Sequence, residues 1–186
     1  MENQVLQNIR KRRSIRDFKK DQVPKELIET IVEAGLSAPY AERNSTFISV
    51  IQNKDILDEI NDLAKATAVE LAIEGLSDLG KDEEFHCLYQ APTLILVSAK
   101  EDSSSPDQDA GAVTQNMLLA SESLNLGSCW LFYPILAFVL KKHASLKEKL
   151  NIPEGYKPCA SLIVGYKSNE NQEERTLNYN RVSYIF

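Results

Sequence analysis

Between Ile9 and Phe18 the sequence reads IRKRRSIRDF, which sets Arg10, Lys11, Arg12, Arg13 and Arg16 within seven residues. Guanidinium forks aim several N–H donors at one anion and suit phosphate and carboxylate oxygens. Ser14 adds a hydroxyl in the middle of the run. The chain as a whole is acidic, with formal net charge -6 and a pI near 5.1. Three readings of the cluster follow. It is a solvated helix end favoured by the macrodipole, a nucleic-acid contact, or a seat for one small phosphorylated ligand. The acidic balance and the lack of a helix-turn-helix or aromatic RNA-binding signature weigh against nucleic acid. No G-x-G-x-x-G and no G-x-x-x-x-G-K-[ST] is present, so a phosphate site here relies on side-chain cations.

Other chemistry is thinly represented. Cys87, Cys129 and Cys159 are odd in number and form no C-x-x-C, against a disulfide framework or a zinc knuckle. His86 and His143 are the only histidines, which gives little support to a metal site or a Ser-His-Asp triad. His86 beside Cys87 mimics a base and nucleophile, but neighbours in sequence need not face each other, and the structural reading is preferred. Cys129 reads as a small buried hydrophobe and Trp130 as a core aromatic. Tyr40 either lines a substrate face or packs.

The elements that must hold these residues follow from periodicity. Val5, Leu6 and Ile9 share a helical face leading into the basic run, and SIRDF after it reads as extended. Pro24 suits the first turn of a second helix, striped by Leu27, Ile28, Ile31, Val32 and Leu36 and stopped by Pro39. Phe47–Ile51 and Thr93–Val97 read as strands, with a helix carrying Ile56, Leu57, Ile60, Leu63 and Ala64 between them. KEDSSSPDQD reads as a surface loop, with Asp107 or Asp109 near the start of a long helix through Leu124. GSCWLF and CASLIVGY give two further strands, while residues 66–91 have no readable pattern. Strands separated by helices, with no repeat, fit one layered α/β-type domain with a mixed or antiparallel sheet. No apolar run is long enough to cross a membrane and no h-region follows the N-terminal charges, so a cytoplasmic protein is expected. The tail NYNRVSYIF alternates Val182, Tyr184 and Phe186. It calls for a docking place on its own domain or, as an added strand, on a partner subunit.

Several stretches, in this order, resemble the nitroreductase family of FMN-dependent NAD(P)H oxidoreductases: RRSIRDF, VPKELIETIVEAGLSAP, QAPTLILV, QNMLLASESLNLGSCW, IPEGYKPCASLIVGY and the late Arg175. The resemblance implies an α+β sandwich over residues 1–186, with a central, mostly antiparallel sheet flanked by helices. It also implies an intertwined homodimer, with the tail from about residue 176 to 186 docked on the partner. Arg12 and Ser14 match positions that hold the FMN phosphate, and Arg175 a late cation that also reaches it. Arg13 matches a position where backbone passes the ribityl chain, and Arg16 the cation at the pyrimidine edge. Pro39 and Tyr40 match a covering turn from the other subunit. Leu126, Gly127 and Ser128 match a turn whose N–H groups face the flavin near N5.

The activity implied is reduction of nitroaromatics, quinones, flavins or another electron-poor small molecule by NAD(P)H, in a ping-pong sequence through FMN. No metal, nucleic acid or membrane is expected. APYAERNSTFISV departs from the family pattern: it is one residue short, Arg43 or Asn44 stands at the usual Asn, and Phe47 replaces Trp. A non-catalytic FMN-storage protein and a dimeric interaction module with a decayed site are the rival readings.

Overall fold

A computed structural model describes residues 3–42, 44–169 and 176–185. Its frame is a four-stranded sheet of β1 (Thr46–Ile51), β2 (Thr93–Lys100), β3 (Gly127–Leu131) and β4 (Tyr156–Gly165). The spatial order is β1-β2-β4-β3, and every pairing is antiparallel. β2 is a continuous apolar run because both its faces are covered, and its first seven residues are all buried. Pro158 lacks the N–H that a central strand needs. The register slips there: Ser98 faces Pro158 and Val97 faces Ala160, leaving Cys159 as the extra residue of a bulge.

Helices lie on both faces. On one side α2 (Lys25–Leu36) and α5 (Pro106–Ser123) pack Ile28, Ile31, Val113, Met117 and Leu118 against Ile95, Val97 and Leu162. Gly35 lets these helices close up, since a Cβ there would meet Met117 Cγ at 2.8 Å. On the other side α3 (Lys54–Glu70), the 3-10 segment Tyr133–Phe138 and α6 (Ala144–Lys149) cover Leu94, Leu96 and Ile163. The expected α+β sandwich with an antiparallel centre is the observed fold.

Two boundaries move. α3 continues to Glu70, six residues past the last stripe residue Ala64, because Thr67 and Ala68 are small enough to be buried under its neighbours. α5 begins at Pro106 inside the stretch expected to be loop, with proline in the first turn, where its missing N–H has no partner to lose. The unreadable stretch 66–91 holds a short α4 (Ser77–Lys81), a left-handed turn at Gly75 (φ 73°) and a tight turn at 86–90.

Two apolar surfaces stand exposed among the described residues. α1 (Gln4–Lys11) buries none of its residues, and Val5 and Ile9 are 64% and 47% exposed. In the tail Leu177, Tyr179, Val182, Tyr184 and Ile185 are all exposed, and Phe186 lies outside the described residues. The homodimer that the family resemblance implies would cover them. Each large side chain it buries is worth roughly 1.5–3 kcal/mol. Deleting residues 176–186 should therefore convert a dimer to monomer or aggregate in sedimentation velocity. A truncated chain that sediments as an unchanged dimer would show that the tail covers nothing.

Candidate functional site

The basic segment is placed by the end of α1 and by two close backbone approaches. Asn3 caps α1 by accepting from Leu6 N at 3.0 Å. At its other end Arg13 turns back and donates to the carbonyls of Arg10 and, at 2.9 Å, Arg12. Arg13 thus serves the helix end, as the macrodipole favours. The chain then runs extended, with Ile15 buried between the exposed Ser14 and Arg16. Alternation with period two sends both polar side chains to one side.

Ser14 bridges in parallel to Ser128, and Ile15 N donates to Ser128 O at 3.0 Å. Phe18 bridges to Lys167, and Lys19 N donates to Tyr166 O at 2.9 Å. Glycines permit both approaches. A Cβ on Gly127 would stand 2.9 Å from Ile15 Cγ2, and one on Gly165 would stand 2.8 Å from the Phe18 ring. Beneath Gly127 lies the largely buried pair Lys167–Glu122, with Nζ 3.0 Å from the carboxylate. Removing one partner of such a pair typically costs about 3–5 kcal/mol.

The structure therefore brings Arg12, Arg13, Ser14 and Arg16 together with Leu126, Gly127 and Ser128. Cys129 reports the local field: burial raises its thiol above the ordinary value, while Arg16, a hydrogen bond from Ser14, and Arg12 pull it back down. It is a buried, un-ionised thiol, as the sequence suggested. Leu126 is not free to face a ligand. Its side chain is fully buried and its N–H donates to Ser121 O at 2.9 Å, closing α5. Arg175 lies outside the described residues.

Pro39 and Tyr40 are elsewhere. Their turn is fastened to the start of α5, where buried Asp109 accepts from Ala41 N at 3.0 Å and from Ser45 Oγ at 2.7 Å. Asn44 is left-handed (φ 56°), and its carbonyl accepts from Tyr156 Oη at 2.7 Å. Arg43 is outside the described residues. Asp109 and Ser121 are separated by about 18 Å of helix, so α5 holds the turn and the basic segment near opposite ends.

One sequence expectation is corrected here, that of Trp130, while His86 and Cys87 follow the structural reading preferred from sequence. Trp130 is 44% exposed. It sits on edge strand β3, and its ring lies over Gly111, 3.4 Å from where a Cβ would be. His86 and Cys87 form no nucleophilic pair: Cys87 is buried and its thiol is pushed up to about 12, mainly by burial. Asp109 and Lys167 were missed as positioning residues. Asp109 looked like a helix-start acid, and Lys167 was one lysine among many.

Among the described residues no group of acidic, histidine and cysteine side chains could hold a metal, and no helix is long and apolar enough to cross a membrane. The nitroreductase family profile matches residues 9–166. The chain belongs to the nitroreductase family. A provisionally named NADH dehydrogenase/NAD(P)H nitroreductase of Methanothermobacter thermautotrophicus is 32% identical, over 93% of this chain and 82% of that one. The crystal structure of a nitroreductase with bound FMN from Bacteroides fragilis superposes with TM-score 0.93, 27% identity and full coverage of both chains. Another, also with bound FMN, from Desulfitobacterium hafniense gives 0.91 and 25%, again with full coverage.

The anchoring of the 39–45 turn gives a direct test. Asp109→Ala removes a buried carboxylate from two hydrogen bonds, each worth about 1.5–3 kcal/mol when one partner is charged. Urea denaturation should show lower stability, and the Ala41 amide should exchange faster while Ile15 is unchanged. Equal protection of Ala41 in both proteins would remove Asp109 from this role.

Proposed function

We propose that this nitroreductase-family chain is an FMN-dependent oxidoreductase that uses NAD(P)H to reduce an electron-poor small molecule such as a nitroaromatic, a quinone or a flavin. The observation that carries it is the docking of RRSIRDF onto the Gly127–Ser128 turn. It gathers guanidinium and hydroxyl donors beside a strand edge. The described donors fit the cofactor: Arg12 and Ser14 suit a phosphate dianion, and Arg16 suits a ring edge that gains electron density.

Arg12 and Ser14 would hold the phosphate; Arg175, which matches the family's late cation, lies outside the described residues and is proposed from that match alone. A unit charge pair at 4 Å is worth about 4 kcal/mol at an effective dielectric near 20, before desolvation. Arg13 fixes the end of α1, so that the backbone leaves it toward the ribityl chain. Leu126 N–H is engaged at Ser121 O, and the Leu126–Ser128 turn as a whole would lie against the flavin near N5. Arg16 places a fixed cation at the pyrimidine edge, where it favours the electron-rich state. FMN, when bound, supplies the two-electron exchange itself, so no side-chain acid or nucleophile is required. NAD(P)H and the acceptor would use one face of the bound FMN in turn, a ping-pong order. Pro39 and Tyr40, held at the far end of α5, cover that face from the partner of a homodimer.

Anaerobic visible spectroscopy tests this reading. The FMN-loaded protein should be yellow, bleach on adding NADPH or NADH, and recover its colour with a quinone. A yellow protein that neither cofactor bleaches would be a flavin-storage protein. A protein that stays colourless with FMN would be an interaction module.

Arg12→Ala should weaken FMN by about 2–5 kcal/mol, the usual effect of unpairing a desolvated charge, and leave riboflavin nearly unaffected. Equal losses in titrations of both ligands would take the phosphate away from Arg12.

A further inference from the structure

The turn at 86–90 reaches the proposed flavin edge through one contact. The Arg16 guanidinium carbon stands 5.8 Å from the centroid of the Tyr89 ring. That ring is braced by an edge contact with Phe85, centroids 6.3 Å apart, and Phe85 meets Tyr133 at 5.3 Å. Arg16 itself is exposed, so the face of Tyr89 is a fixed surface against which its long side chain can be oriented.

The backbone under Tyr89 is unfavourable on its own. Tyr89 and Gln90 are consecutive left-handed residues, with φ 51° and 53°, and neither is glycine. His86 compensates. Its Nδ1 faces Leu88 N at 3.2 Å and Gln90 N at 3.4 Å. Its carbonyl accepts from Tyr89 N at 2.8 Å. A ring nitrogen that accepts from two amides must carry its lone pair, so the imidazole is neutral with its proton on Nε2. That nitrogen lies 3.9 Å from the Asp58 carboxylate.

We propose that His86 is a positioning residue for Arg16: the neutral imidazole holds the 86–90 turn, the turn holds the Tyr89 ring, and the ring holds the guanidinium. This rests on the placement of Arg16 at the flavin edge. Protonation would turn Nδ1 into a donor facing two donors, and the turn would loosen.

The groups around His86 set the direction. From α3, Asp58 and Asp62 favour the charged imidazole, while Lys54 and Lys65 oppose it. Lys20, from the segment after Phe18, lines the same cavity. Lys65 also donates to the Phe85 carbonyl at 2.8 Å. Burial is the largest influence and lowers His86 below 6.5. The folded state therefore disfavours the proton. The stability that the turn gains is complete above 6.5 and is lost as pH falls toward and through the lowered value.

The test uses His86→Leu, which removes the acceptor, and His86→Asn, which keeps a short acceptor that cannot titrate. In the apoprotein at pH 7.5, exchange of the Leu88 and Gln90 amides should accelerate about tenfold in His86→Leu, the equivalent of one lost hydrogen bond. It should stay near wild type in His86→Asn. Below pH 6, after correction for intrinsic rates, wild type should lose protection that His86→Asn keeps.

With FMN loaded, the ratio of reduced to oxidised flavin affinity should fall about threefold in His86→Leu, the scale of one exposed cation–π contact. His86→Asn should restore it. Unchanged exchange at Leu88 and Gln90 in His86→Leu would overturn the proposal. So would faster exchange with an unchanged affinity ratio, if Arg16→Gln does change that ratio. A ratio unmoved by Arg16→Gln as well would place the error in the flavin-edge assignment, and the role of His86 would fall with it.

Discussion

The contact between Ile15 and the Gly127–Ser128 turn is the constraint from which the rest of the site follows. A segment rich in arginine would otherwise stay in water. It is held because Ile15 is buried, its N–H is bonded to Ser128 O, and Gly127 has no side chain to keep it away. Burial of one residue thus fixes the direction of its two neighbours, Ser14 and Arg16, through the two-residue period of extended chain. Gly165, the partner of Gly127 across β3 and β4, repeats the device against Phe18, three residues further along the segment. Ser14 and Arg16 are thus directed by the packing of Ile15, and Arg16 also by the Tyr89 ring beneath its guanidinium.

Buried polar groups support this contact from behind. Lys167–Glu122 closes the space beneath Gly127 and ties the end of α5 to the chain leaving β4. Asp109 does the corresponding work near the start of the same helix, where it fastens the 39–45 turn. α5 is therefore a rigid spacer of 18 residues between two functional surfaces. Within one chain it sets their anchors, Asp109 and Ser121, about 18 Å apart along the helix.

Much of the frame was legible in sequence. β2 announced itself as an unbroken apolar run, and α2 by a stripe bounded by two prolines. The basic segment stood out as a candidate site because its composition contradicts that of the whole chain. What escaped was held by long-range contacts that leave no periodic trace. The 86–90 turn is fixed by His86 Nδ1 and by Cys87 N donating to Asn61 Oδ1 at 2.9 Å, 26 residues away in sequence. Trp130 was expected in the core by residue type, but an edge strand exposes alternate residues whatever their size. Leu126 was assigned to the flavin turn, yet its backbone is committed to ending α5.

The central claim is that docking of residues 12–16 onto residues 126–129 forms the seat of the cofactor. Amide hydrogen exchange on the protein with and without FMN tests it most directly. The account predicts that FMN slows exchange at Ile15 and Arg16 and at Gly127–Cys129, while the solvent side of β1 is unchanged. Protection by FMN that leaves residues 12–16 and 126–129 unaffected would contradict it.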